Sequence, residues 1–285
     1  MKIGISGASG HLGSSTIRAL KDRLPGGSEI VGISRTPDKV TNLGVEARPG
    51  DFDKPEALIE AFRGLDKLLL IPTDNLTPGV RSKQLRDAVE KAILAEVGHV
   101  VLMSALGARA AEAPHLWETF FVPEQMLMKT APKWSIIRMA YYAESFLDEV
   151  AMSLDRGVHA SIAPTPVNFV ARDDVAAAAA GLLASSNEHH GAIYQATGPD
   201  SLDGHGRASV IAGVTKRPFA FAEVTLDQYR EGLEGAGLPA PMLDAVLSIQ
   251  EMWACGGFDV VTGDVARLAG RAPRKLENVA RDRFG

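Results

Sequence analysis

A short apolar segment, Lys2–Ser6, runs straight into Gly7-Ala8-Ser9-Gly10-His11-Leu12-Gly13, and behind these glycines Gly13, Ile17, Leu20 and Leu24 recur at i, i+4, i+7 and i+11. The first segment reads as a strand and the second as one face of an amphipathic helix, which Gly26-Gly27 is expected to stop. Few arrangements tolerate three glycines between a strand and a helix, and each has a backbone reason. Gly7 permits a tight turn, Gly10 lets the main chain approach a ligand without a Cβ in the way, and Gly13 lies on the stripe expected to face the sheet. The first amides of such a helix have no intrahelical partner and sit at its positive end. A diphosphate is the ligand that such a turn accepts, so the loop predicts a bound dinucleotide.

The rest of the first half repeats the same unit. Glu29–Ile33, Val45–Arg48, Lys67–Ile71, His99–Met103 and Trp134–Arg138 read as strands, with helical patterns between them. One of these opens after Pro78-Gly79 and carries Leu85, Ala88, Val89, Ala92, Ile93 and Val97 on a stripe. Asp53 and Glu56 have the spacing of a capping box. Repeated β-α-β units predict a Rossmann-type doubly wound parallel sheet of the α/β class. The regularity weakens near residue 150. Asp173–Leu183 remains an Ala-rich helix, Ile193–Ala196 a strand, and Thr225–Gly235 and Pro241–Cys255 two further helices before a Gly-containing turn and a basic, polar tail. The expected organisation is a nucleotide-binding domain over 1–150 and a smaller, mainly helical C-terminal lobe over 151–285, partly interleaved with the sheet.

Which dinucleotide is expected depends on the end of the second strand, where a carboxylate would hold a ribose 2′-hydroxyl. The residues there are Ile33-Ser34-Arg35-Thr36-Pro37-Asp38-Lys39. No acid stands at the strand end; Arg35 offers a planar fork for a 2′-phosphate and Lys39 a second positive charge, which favours NADP(H). Thirty basic against 35 acidic side chains, with no long Lys/Arg run, argue against nucleic acid as a partner. The single cysteine, Cys255, excludes an internal disulfide, and no Cys/His cluster has zinc spacing, so no metal is expected. With no apolar stretch long enough for a membrane span, the expected location is cytoplasmic.

Taken together with Gly50-Asp51-Phe52, Leu68–Ile71, Ser135–Ser145, Ala171–Ala176, Gly191–Tyr194 and Gly237-Leu238-Pro239, this pattern resembles the NmrA-like group of atypical short-chain dehydrogenases. Bacterial NADPH quinone reductases and triphenylmethane-dye reductases are the members it most resembles. The resemblance implies that Asp51 and Phe52 approach the adenine, that Pro72 and Thr73 pass over the middle of the cofactor, and that Met139, Ala140 and Tyr141 border the nicotinamide. Ser9, His11 and Leu12 of the glycine loop and Ser104 at a strand end join the expected cofactor contacts. It also matches Glu124 to a helix-borne glutamate of the family, with Phe120 or Phe121 in a slot where related reductases place lysine.

Typical short-chain dehydrogenases pair a tyrosine with a lysine four residues on. Here Ser145, Phe146, Gly198 and Leu233 follow the four tyrosines at that spacing, so the pair is missing. Reduction of an isolated ketone would then forgo the ~10²- to 10⁴-fold of general acid catalysis. A quinone or a cationic dye needs no such acid, because hydride delivery yields a delocalised anion or discharges a carbocation. Of the three Trp, four Tyr and ten Phe, seven rings fall between Trp117 and Phe146. Trp117, Phe121, Tyr141 and Tyr142 are the expected substrate contacts. His115, and the Arg172-Asp173-Asp174 cluster at the start of the Ala-rich helix, are weaker polar candidates. The expected function is hydride transfer from NADPH to a quinone, dye or other conjugated aromatic acceptor; a non-catalytic NADP(H)-sensing regulator is the alternative. A small aromatic or quinone-like substrate is the expected partner, and a homodimer is left open.

Overall fold

The computed structural model describes residues 1–112 and 116–285. In chain order the elements are β1 (Lys2–Ser6), α1 (His11–Lys21), β2 (Glu29–Ser34), α2 (Asp38–Thr41), β3 (Glu46–Pro49), α3 (Leu58–Phe62), β4 (Lys67–Leu70), α4 (Val80–Leu94), β5 (His99–Ala105), α5 (Leu116–Thr130) and β6 (Trp134–Met139). There follow β7 (Tyr141–Tyr142), α6 (Ala143–Ser153), β8 (Val158–Ser161), β9 (Val167–Val170), α7 (Arg172–Ala184), β10 (Ala192–Ala196), β11 (Ser201–Leu202) and α8 (Gly204–Thr215). The chain ends with β12 (Ala220–Glu223), α9 (Leu226–Gly235), α10 (Ala240–Ala254), α11 (Asp264–Ala269) and α12 (Leu276–Phe284).

Seven strands form one sheet in the order β10-β6-β5-β4-β1-β2-β3. The β3–β2, β2–β1, β1–β4 and β4–β5 pairings are parallel, and helices flank the sheet in a Rossmann-like α/β fold, as the sequence predicts. Strand order reverses beside β1: the chain builds outward to β3, then returns to place β4 on the other side. At such a reversal, ligands bind beyond the carboxyl ends of the strands. Burial runs unbroken through Ile3–Ser6, Ile30–Ser34 and Leu68–Leu70, as strands covered on both faces require. Val31, Ile33, Leu68 and Leu70 pack with Phe62 of α3 and Leu85 and Val89 of α4 into one core layer.

The chain divides into two compact units. The first comprises Met1–Arg138, Asp173–Ala196 and Asp264–Arg271; the second comprises Met139–Arg172, Thr197–Gly263 and Ala272–Gly285. The sequence places one boundary near residue 150 with some interleaving, whereas the chain leaves the first unit after Arg138 and returns to it twice. Within the first unit α7 is buried over residues 174–180 and at Leu182 and Leu183. Its small side chains admit neighbours at backbone distance: a Cβ on Gly181 would lie 1.8 Å from the carbonyl oxygen of Leu268 in α11. The second unit carries, besides its helices, a three-stranded sheet β11-β9-β7 and a two-stranded sheet β12-β8 that the sequence did not reveal.

Two local expectations are corrected, and the tail gains detail. Helix α1 ends at Lys21 with Asp22 as its cap, before the glycine pair; Gly27, at φ +84°, serves the turn into β2 instead. Asp53 caps no helix: the turn at Pro55–Ala57 has no side-chain cap, because the Asp53 carboxylate accepts a hydrogen bond from Gln84 at 2.7 Å. The polar tail carries two short helices: α11 buries Val265 and Leu268, and α12 buries Leu276 and Val279, each pair at i, i+3 among charged residues. No helix among the described residues is long and apolar enough to cross a membrane.

Candidate nucleotide-binding site

Beyond the ends of β1, β2 and β4 lies a cleft of about 550 Å³, lined by Ser6, Gly7, residues 9–13, 33–35, 50–53 and 71–75, and Gln84. The glycine loop forms one wall. Gly7 adopts φ +62°, a left-handed conformation that only glycine reaches cheaply, and its carbonyl accepts the Gly10 amide at 2.9 Å. A Cβ on Gly13 would lie 2.4 Å from the Gly7 carbonyl oxygen and 2.8 Å from the Ala8 Cα. The close neighbour of Gly13 is therefore the loop's own backbone, where the sequence suggests the strand. No side chain caps α1 and no acid occupies its first turn, which leaves the first amides open for an anion. This cradle, which a Cβ would fill, fits the diphosphate of a dinucleotide.

Hydroxyl groups pin the strand ends around it. The Ser34 hydroxyl donates to Ser9 Oγ at 2.8 Å and accepts the Thr36 amide at 3.0 Å. Ser6 Oγ accepts the Ile71 amide at 2.8 Å, joining the ends of β1 and β4. On the opposite wall the Thr73 hydroxyl donates to Gln84 Oε1 at 2.5 Å, and Gln84 Nε2 donates to Asp53. Asp51 lines the cleft and also orders its own turn by accepting the Asp53 amide at 3.1 Å. Arg35 is exposed and borders both this cleft and an adjoining hollow of about 780 Å³, where Arg48 and Arg63 are paired to Glu46 and Glu60 and Lys54 adds a positive charge. Of the expected cofactor residues, Gly7, Ser9, Gly10, His11, Leu12, Gly13, Arg35, Asp51, Phe52, Pro72 and Thr73 share this cleft. Ser6, Ser34, Asp53, Asp74, Asn75 and Gln84 also line it, none of them among the expected cofactor residues. The first two stand at strand ends, a position that signals a site in open sheets; Gln84 carries no local signal.

Other candidates stand elsewhere. Lys39 is exposed on α2 and does not line the cleft. Ser104 is buried at the end of β5, where its hydroxyl donates to Glu124 Oε1 at 2.5 Å. Glu124, fully buried, also receives Arg138 Nε at 2.9 Å and Nη2 at 2.5 Å, and this pairing holds Arg138 firmly charged. Trp117 is buried beneath the Arg109 guanidinium, 5.5 Å away, and Phe121 is half-buried. His115 falls outside the described residues. Asp173 accepts the Ser15 hydroxyl at 2.9 Å and stands 4.0 Å from His11, while Asp174 is buried against Arg271. In the second unit Met139 is half-buried and Ala140 buried, and Arg172 lies 5.1 Å over the Tyr142 ring. Tyr141 donates its hydroxyl to Glu149, and its ring meets Phe169, Trp253 and Phe258 edge-on. Among the described residues no cluster of His, Cys, Asp and Glu is arranged to hold a metal.

The tyrosines settle what acid chemistry they can offer. Burial is the main cause pushing all four phenols upward, at Tyr141, Tyr142, Tyr194 and Tyr229. For Tyr141 the neighbouring Glu149 adds to the effect. A catalytic tyrosine of the Tyr-Lys kind needs the opposite, a cation that lowers its phenol toward neutrality.

A family model described as NAD(P)H-binding matches residues 7–186. The chain is 24% identical to the NAD(P)H azoreductase of Xenophilus azovorans, over 97% of this chain and 96% of that protein. It is 27% identical to quinone oxidoreductase 2 of Escherichia coli strain K12, over 96% of each. Among solved structures, the Citrobacter sp. triphenylmethane reductase complexed with NADP(H) superposes with a TM-score of 0.89 at 26% identity, covering 99% of this chain and all of that one.

Proposed function

This chain belongs to the NAD(P)H-binding, NmrA-like family, and from that premise we propose that it is an NADPH-dependent oxidoreductase which reduces a quinone, dye or comparable conjugated acceptor. The reading is carried by one conjunction: a glycine cradle shaped for a diphosphate in a chain whose tyrosines are all pushed away from acid function. When bound, NADPH supplies a hydride. The chain's own task is then to hold and orient, not to transfer protons.

The first-turn amides of α1 would receive the diphosphate, with Gly7, Gly10 and Gly13 leaving room for it. Arg35 would pair with the 2′-phosphate, and the Thr73–Gln84–Asp53 chain would keep the far wall in place. Glu124 is not available as a proton donor in this scheme, because Arg138 and Ser104 already occupy it. An acceptor whose reduced form is a delocalised anion or a neutral molecule suits these limits, and the azoreductase, quinone reductase and dye reductase relatives are named for acceptors of that kind. Phe121 on α5 is the ring proposed to meet it, since Trp117 is buried beneath Arg109.

The test is direct. Purified protein is mixed with NADPH and a panel of quinones, azo dyes and triarylmethane dyes, and loss of the reduced-nicotinamide absorbance is followed. Turnover with at least one class is the expected result. Tight NADPH binding with no turnover across the panel would overturn the enzyme reading and favour a cofactor sensor.

A further inference from the structure

Arg81 is the second residue of α4, one turn before Gln84, which lines the cleft. Residues three apart on a helix share a face, so Arg81 stands on the side of α4 that carries Gln84, although it does not itself line the cleft. Its guanidinium lies 5.7 Å over the ring of Phe120 on α5. Among the described residues it forms no hydrogen bond or ion pair, and its Nε is buried without a partner. The Ser82 hydroxyl donates to Glu118 Oε1 at 2.8 Å, fixing α4 to α5, while Glu118 Oε2 is buried without a hydrogen-bond partner among the described residues and forms no ion pair with Arg81. Burial works against the charge on Arg81, and Asp74 on the cleft wall offsets this only in part. A guanidinium held over a ring, with its buried Nε unanswered, is a group able to receive an oxygen that the protein does not itself provide.

We propose that Arg81 receives the carbonyl or anionic oxygen of the acceptor, and so selects quinones and sulfonated acceptors over cationic triarylmethanes. This inference rests on the reductase reading and names its substrate class. In quinone reduction the nicotinamide C–H bond breaks and its hydrogen and electron pair bond to the acceptor. The products are oxidised cofactor and a quinol anion whose charge lies on oxygen, and water provides the second proton. Arg81 would meet that developing charge. A triarylmethane cation becomes neutral on the same transfer, so a facing guanidinium only opposes its binding.

The test compares binding and turnover of 1,4-naphthoquinone-2-sulfonate, neutral menadione and cationic malachite green. Binding is read by tryptophan fluorescence quenching without NADPH, in wild type, Arg81→Gln and Arg81→Lys, with thermal melting to verify folding. Arg81→Gln should weaken sulfonate binding by about tenfold or more, weaken menadione less, and leave malachite green unchanged or tighter. Arg81→Lys should recover part of the sulfonate affinity, because it restores charge without the fork. Equal shifts for all three ligands, or none, would overturn the proposal. If Arg81→Gln fails to fold, the Lys variant carries the same comparison: a sulfonate-selective loss supports the proposal and a uniform change defeats it. Should wild type bind the sulfonate through Arg81 yet leave NADPH unoxidised with every acceptor tried, the reductase reading fails while the anion site stands.

Discussion

Replacing Gly13 with alanine adds one methyl group where the backbone leaves no room. The new Cβ would stand 2.4 Å from the Gly7 carbonyl oxygen, about 1 Å short of the 3.4 Å at which ordinary contact begins, and 2.8 Å from the Ala8 Cα. Neither neighbour is a flexible side chain, so α1 must withdraw from the loop or the loop must deform. Overpacking of this kind costs ~1–3 kcal/mol of stability. A displacement near 1 Å at a positioning element is also enough to cost on the order of 10²-fold in function. NADPH affinity, measured by titration of nicotinamide fluorescence, should fall by about that factor, and thermal melting should shift down with it. Gly10→Ala separates the two effects, since its Cβ would lie 3.3 Å from the same oxygen and asks for only a small local adjustment. That variant should lose affinity with little loss of melting temperature. If Gly13→Ala binds NADPH as wild type does, the cradle is not where the diphosphate sits, and the assignment of this cleft fails.

The remaining expectations concern charge. Arg35→Ala should cost NADPH about ten- to a hundredfold in affinity and leave NADH nearly unaffected; an unchanged preference between the two cofactors would remove Arg35 from the 2′-phosphate site. Burial lowers His99 to about 4, and its ring bonds the Ser135 hydroxyl at 2.9 Å. The unfolded chain therefore binds a proton first as pH falls. This contribution to stability is complete above the ordinary histidine value of 6.5 and is lost between there and about 4, roughly 2 kcal/mol after discounting for solvent screening. Denaturant melts of wild type and His99→Gln across that interval should differ in slope, and parallel curves would refute the sign. Glu124→Gln leaves Arg138 without its counter-charge and should destabilise by about 2–3 kcal/mol, read as a lower denaturation midpoint. A Glu124→Leu, Arg138→Met double variant should recover much of the loss, and a neutral single variant would show that the pair does not support the fold.

How far these features can be read without coordinates follows from where each residue's partner lies. Gly7 and Gly13 are legible because their constraint is on their own backbone, within six residues, and only glycine satisfies it. The parallel strands are legible for a related reason: burial on both faces writes an unbroken apolar run into Ile30–Ile33 and Leu68–Leu70. The second unit lacks that signature, since polar His159 and Asn168 interrupt β8 and β9 and their pairing partners are distant in sequence. Tyr141 shows the cost. Its place after a strand suggests an open pocket ring, yet Glu149, Phe169 and Trp253 come from three other stretches of chain to enclose it. Glu124 carries the same lesson into chemistry. A glutamate on a helix near a cofactor loop invites assignment as an acid, but Arg138, 14 residues away on β6, and Ser104 on β5 already hold both of its oxygens. Residue type and spacing show which groups are capable of proton transfer; only the closure of α5 against the sheet shows which of them is still free to perform it.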